Sequence, residues 1–291
     1  MLMKKLITLL IMILIFVTAC GENEGNQQVS QKNSKIHEKE ENNTRKAESK
    51  TKDNDQDKGE IEASQLSNSM KAALVFSADE ASEYTLSKKE ILTGVFEQDY
   101  MNKPKKKQLY KLYLISVNGY SNPPENMKFY SVYPPKKGFS SIMGIGKEKV
   151  FIGGTQSPGS YKQLLETGKE LDLKRLYNQN KKFKSLNELA QKIEFKYDHP
   201  MKNEETRKDF EAKENANTMA HARSQIYQMI TQFEGKPLNT KNYVWDNVKW
   251  NEDMSGWTVN YRDKNLEILG TYQKEKNQPI VKLDANGRKI K

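Results

Sequence analysis

The chain has 291 residues, 35% of them hydrophobic and 30% charged, with a formal net charge of +10. A single cysteine, Cys20, excludes an internal disulfide, and three histidines leave little material for a histidine-built metal site. The charge is unevenly placed: residues 21–68 carry 8 Lys+Arg against 11 Asp+Glu, so the positive excess belongs to residues 69–291.

Lys4 and Lys5 precede an apolar run over residues 6–17, and Val17-Thr18-Ala19-Cys20 closes it with small residues before the thiol. The run is too short to cross roughly 30 Å of hydrocarbon at about 1.5 Å of helical rise per residue. It has the form of an export signal. Its last four residues resemble the lipobox of bacterial lipoproteins. That resemblance implies cleavage before Cys20, a diacylglyceryl thioether on its sulfur, and an anchor of two acyl chains in the membrane. Residues 21–68 hold few large apolar side chains and no aromatic one. Such a segment does not bury enough apolar area to offset about 1–2 kcal/mol of backbone entropy per ordered residue. It is expected to be a disordered tether, on the order of 40 Å in root-mean-square span, carrying a domain clear of the membrane of a Gram-positive cell.

Order is expected from about residue 67, where Leu66, Met70, Ala73 and Leu74 share one helical face. Ser87-Lys88-Lys89-Glu90 is a capping box, and Ile91, Leu92, Val95 and Phe96 read as the buried stripe of the helix that follows, ended by residues 103–107. Residues 108–117 and 127–133 read as strands, and residues 141–145 with 149–152 as a hairpin. Ser185 to Glu188 repeats the capping-box pattern before a helix with Leu186, Leu189, Ala190 and Ile193 on one face. His199-Pro200 marks a boundary between two modules. Beyond it, residues 203–233 read as one long helix, followed by four strands at 243–250, 257–262, 266–273 and 280–283. One helix feeding a four-stranded antiparallel meander resembles cystatin-like and NTF2-like modules over about 90 residues, a likeness of layout only.

The expected class is therefore α+β. Residues 1–19 form the signal, 20–66 the lipidated tether, 67–198 a mixed helix and antiparallel-sheet module, and 199–291 the helix with its four-stranded sheet.

No catalytic, cofactor-binding or metal-ligating residue stands out. His37 lies in the tether, His199 precedes a proline, and His221 has Asn217 and Gln225 one helical turn away rather than a ligand. There is no nucleophile elbow, dinucleotide fingerprint or phosphate-binding loop. The feature nearest to a functional surface is the interleaving of Lys and Tyr between Lys103 and Lys137, including Lys105, Lys106, Lys107, Tyr110, Lys111, Tyr113, Tyr120, Lys128, Tyr130, Tyr133 and Lys136. A basic, tyrosine-bearing sheet suits an anionic polymer, and equally suits the wet side of any antiparallel sheet. The expected function is a non-catalytic, lipid-anchored binding or assembly module on the extracytoplasmic face of the cell membrane. Its expected partners are membrane lipid through Cys20 and an anionic wall polymer or another envelope protein, with no nucleic acid. A solute-binding lipoprotein of a transporter and a carboxylate-dependent cell-wall hydrolase are the alternatives.

Overall fold

The computed structural model describes residues 63–291 apart from 102, 158 and 215, and the side chains of all but 216–219 among these. Cys20, the signal, His37 and nearly all of the expected tether therefore lie outside the described residues. The architecture is α+β. In chain order it runs α1 (Asn68–Ser77), α2 (Lys88–Thr93), β1 (Val95–Tyr100), β2 (Lys103–Gln108), β3 (Leu112–Val117), β4 (Lys128–Tyr133), β5 (Ser140–Ile145) and β6 (Lys149–Thr155). There follow α3 (Tyr161–Glu166), β7 (Gly168–Asp172), α4 (Leu173–Asn180), α5 (Leu186–Gln191), β8 (Ile193–Lys196), α6 (Glu204–Lys213) and α7 (Ala216–Glu234). Five strands close the chain: β9 (Val244–Trp245), β10 (Lys249–Trp250), β11 (Trp257–Arg262), β12 (Ile268–Lys274) and β13 (Val281–Asp284).

The first sheet has six strands in the order β7-β6-β5-β4-β3-β8, antiparallel except for the parallel pair β3–β8. Side chains alternate across it, and both faces are covered. One face, with Leu112, Leu114, Val132, Met143, Val150 and Ile152, packs under α1, α4 and α5. The other splits into two clusters. Phe129, Ile142 and Phe151 lie with Tyr161 and Leu164 of α3, while Tyr113 and Ile115 lie with Phe210 of α6. This double burial explains why Leu112 to Ile115 are all buried instead of alternating with solvent-facing residues.

The second sheet is the expected meander, β10-β11-β12-β13, with β9 pairing the same edge of β11 as β10. The strand expected over 243–250 is thus present but interrupted at Asp246–Val248. Ile226 and Ile230 of α7 pack on its Val259, Tyr261 and Tyr272.

Three expectations are corrected. The helix after Ser87 ends at Thr93, because Gly94 takes the left-handed conformation (φ +74°) that closes a helix. Val95 and Phe96 therefore start a strand, and residues 103–107 form its hairpin partner, with Tyr100 opposite Lys103. The long helix is two. Phe210 and Ile226 are 16 positions apart, which places them roughly 160° apart around a continuous helix. They serve different sheets, so the chain breaks between α6 and α7. Third, Ser185 stands at the start of α5 but its side chain makes no capping bond. Its hydroxyl donates to the Leu266 carbonyl at 3.0 Å, and Glu188 is drawn to Arg262. A capping box not anticipated from the sequence sits instead at Ser160 and Gln163.

Candidate functional site: a cationic groove between two cores

The hairpin β1–β2 stands apart from both sheets as a two-stranded ribbon. Its register is set by Gly94 on one side and by Leu109, whose N–H donates to the Gly94 carbonyl at 2.9 Å. The Asp99 N–H and the Gln98 amide also bond the carbonyls of Lys136 and Pro135, holding the ribbon against the loop after β4. One strand of that ribbon, β2, faces α7 across a cavity of about 990 Å³.

Four kinds of side chain line the cavity. Tyr133, His199, Met201 and Phe210 give it an aromatic and apolar wall. Tyr133 meets Phe210 edge-on at 5.7 Å and His199 at 5.2 Å. Lys105, Lys106 and Lys107 from β2, Arg207 from α6 and Arg223 from α7 are cationic; among the described residues, Glu211 and Glu214 are the carboxylates that line it. Gln108 and Asn247 supply amides, the latter from the interruption between β9 and β10, tied down by its own N–H on the Thr93 carbonyl at 2.7 Å.

Five cations against two carboxylates make the groove positive, and its arginines are not neutralised internally. Arg207, Arg223, Lys105 and Lys106 join no ion pair among the described residues. Lys107 does, 3.7 Å from Glu214 Oε2. Burial raises the Glu214 carboxyl above its ordinary range, and Lys107 offsets only part of that. Burial, reinforced by the charges of Glu214 and Glu211, pushes the Tyr133 phenol up to about 12, so it remains a hydrogen-bond donor at neutral pH. His199 is lowered by burial and by Lys202, and its Nδ1 accepts from the Met201 N–H at 3.2 Å. The ring is thus a neutral wall element with a fixed tautomer.

The lysine–tyrosine interleaving does not gather on one sheet face. Tyr113 and Tyr130 are buried on opposite faces of the first sheet. Tyr120 packs on Phe129, and Lys213 lies 4.4 Å above the Tyr110 ring. Lys111 pairs with Glu194 and Lys136 with Glu90. Only Lys105, Lys106, Lys107 and Tyr133 of that set reach the groove. Nothing in the sequence marks Arg207, Arg223, Phe210 and Asn247 as site residues, because no local spacing links them to β2, roughly 100 to 140 residues earlier. His221 lies exposed on α7, 3.2 Å from Gln225. Among the described residues no group of His, Cys, Asp and Glu is arranged to hold a metal ion, and no helix is long and apolar enough to cross a membrane.

No protein-family model, curated protein or solved structure matches the chain.

Proposed function

We propose that the chain is a lipid-anchored, non-catalytic binding module on the extracytoplasmic face of the cell membrane, and that the groove between β2, α6 and α7 is where it holds an anionic partner. The anchor rests on the lipobox-like residues 17–20 ending in Cys20. The binding role rests on one observation: five arginines and lysines from three separate elements converge on one concave surface that holds two carboxylates, Glu211 and Glu214, and only Lys107 is paired with one of them. Charges placed this way focus a field that gathers anionic ligands, more strongly in a cleft than on a flat surface.

Labelled palmitate supplied to growing cells tests the anchor. The chain is expected to take up label and to sediment with membranes, and Cys20→Ser to lose both. An unlabelled chain found wholly in the culture medium would end this reading. The groove is tested by crosslinking in intact cells, where Arg207→Gln with Arg223→Gln should deplete whatever travels with the wild-type chain.

A carboxylate-dependent hydrolase has one observation in its favour. Glu214 is a buried carboxyl with a raised pKa in a cleft beside Glu211, which is the environment of a general acid. Clearing of wall material by the purified chain, abolished by Glu214→Gln, would install that reading in place of the first.

A further inference from the structure

The groove carries a competitor for its own ligand. Glu214 ends α6 with 10% of its side chain exposed, and its ion-pair partner among the described residues is Lys107 of β2, which keeps 32% exposed. Their separation, 3.7 Å from Nζ to Oε2, exceeds the roughly 2.7–2.9 Å of a strong charge-assisted hydrogen bond. The second oxygen, Oε1, is buried without a donor. One loose contact therefore holds the carboxylate charge, and the ammonium that makes it is still open to the cavity. Among the described residues, Lys105, Lys106, Arg207 and Arg223 line the same groove but join no ion pair, and Lys213, next in the chain, turns to Asp209 and Tyr110. Glu211 is exposed and also joins no ion pair, and Tyr133, its phenol pushed up to about 12, keeps its proton.

We propose, building on the reading of the groove as an anion site, that Glu214 is its proton-operated gate. As a carboxylate it keeps Lys107 for itself and opposes an incoming anion. Once protonated it frees that ammonium for the ligand and leaves one fewer negative charge in the cleft. The proton comes from solvent and adds to a carboxylate oxygen of Glu214; no other covalent bond changes. A carboxyl in this setting takes up its proton more readily than an exposed one, because burial disfavours the charged form by more than Lys107 restores. By linkage, an anion that prefers the protonated groove must in turn draw a proton onto Glu214. The anion is therefore held more tightly as pH falls and released as pH rises through the range of this carboxyl. His199 is a second lining group that gains positive charge on acidification. Burial and Lys202 lower its pKa, and its Nδ1 is already engaged by the Met201 N–H at 3.2 Å.

Dextran sulfate is the probe, since its sulfate esters stay ionised throughout. Its affinity for the full chain is measured at constant ionic strength from about pH 8 to about pH 5, above the ordinary glutamate value of about 4.3. The wild type is expected to bind about three- to tenfold tighter at the lower pH. Glu214→Gln should bind at the higher pH as tightly as the wild type does at the lower, and lose most of the dependence. Lys107→Gln should bind weakly at both with the dependence reduced, and His199→Asn should keep it. Calorimetry at the midpoint of the wild-type profile, in buffers of different ionisation enthalpy, should show proton uptake that Glu214→Gln largely removes. A wild-type affinity that does not vary with pH, or a variation that Glu214→Gln leaves intact or His199→Asn abolishes, overturns the gate while the anion groove stands. No binding by the wild type at any pH, or unchanged binding by Arg207→Gln with Arg223→Gln, overturns the groove itself. Thermal melts of each variant at both ends of the range separate lost binding from lost fold.

Discussion

Glu214 sits at the end of α6 with one oxygen 3.7 Å from Lys107 and the other without a donor, and burial lifts its carboxyl above the ordinary range. A folded state that holds a proton more tightly than the unfolded chain gains stability in acid and loses that gain as pH rises through the folded pKa. Glu214→Gln keeps the shape and removes the charge. Its melting temperature should exceed that of the wild type at about pH 8, with the gap closing near pH 4, below the ordinary glutamate pKa. A variant no more stable than wild type at the higher pH would mean that Lys107 fully compensates the buried charge. A different constraint acts at Gly153. A methyl carbon there would lie 2.6 Å from the tip of the Phe151 ring, and Gly168, its partner across β6 and β7, is crowded by the same ring. Phe151 is fully buried among Met127, Phe129 and Tyr161 and has nowhere to retreat. Gly153→Ala should therefore cost about 1–3 kcal/mol in urea unfolding.

Between elements, the governing contact is Arg262 at the end of β11, with none of its side chain exposed. Its Nε and Nη2 donate to the two oxygens of Asp246 at 2.7 Å each. Nη1 and Nη2 donate to Glu188 of α5 at 2.8 Å, and Nη1 also donates to the Leu266 carbonyl at 3.0 Å. All five guanidinium N–H groups are thus used, a geometry that a lysine does not reproduce. Burial alone would raise the Glu188 carboxyl, but the bonds and charge of Arg262 hold it below its ordinary value. Because Asp246 is almost fully buried, Arg262→Ala strands a carboxylate in the interior. The expected loss is about 3–5 kcal/mol by urea unfolding. A loss under about 1 kcal/mol would place the pair among weakly contributing surface bridges.

At the scale of the whole molecule, local signals were legible and long-range ones were not. The capping box at Ser87, the alternation of Trp257, Val259 and Tyr261, and the helix followed by a meander are visible because each is set by neighbours a few residues away. The ribbon β1–β2 was not, since Val95 and Phe96 continue an apolar helical pattern and only Gly94 marks the stop. Ser185 and Glu188 carry the letters of a cap but are claimed by Leu266 and Arg262, 81 and 74 residues on. The groove was invisible for the same reason, being assembled from β2, α6, α7 and the link between β9 and β10. Those walls have different allegiances. α6 is pinned to the first sheet by Phe210, and α7 to the second by Ile226 and Ile230. The groove therefore spans a joint: under the proposed reading, an occupant touching both walls would tie one core to the other, and any change in their spacing would change what it holds.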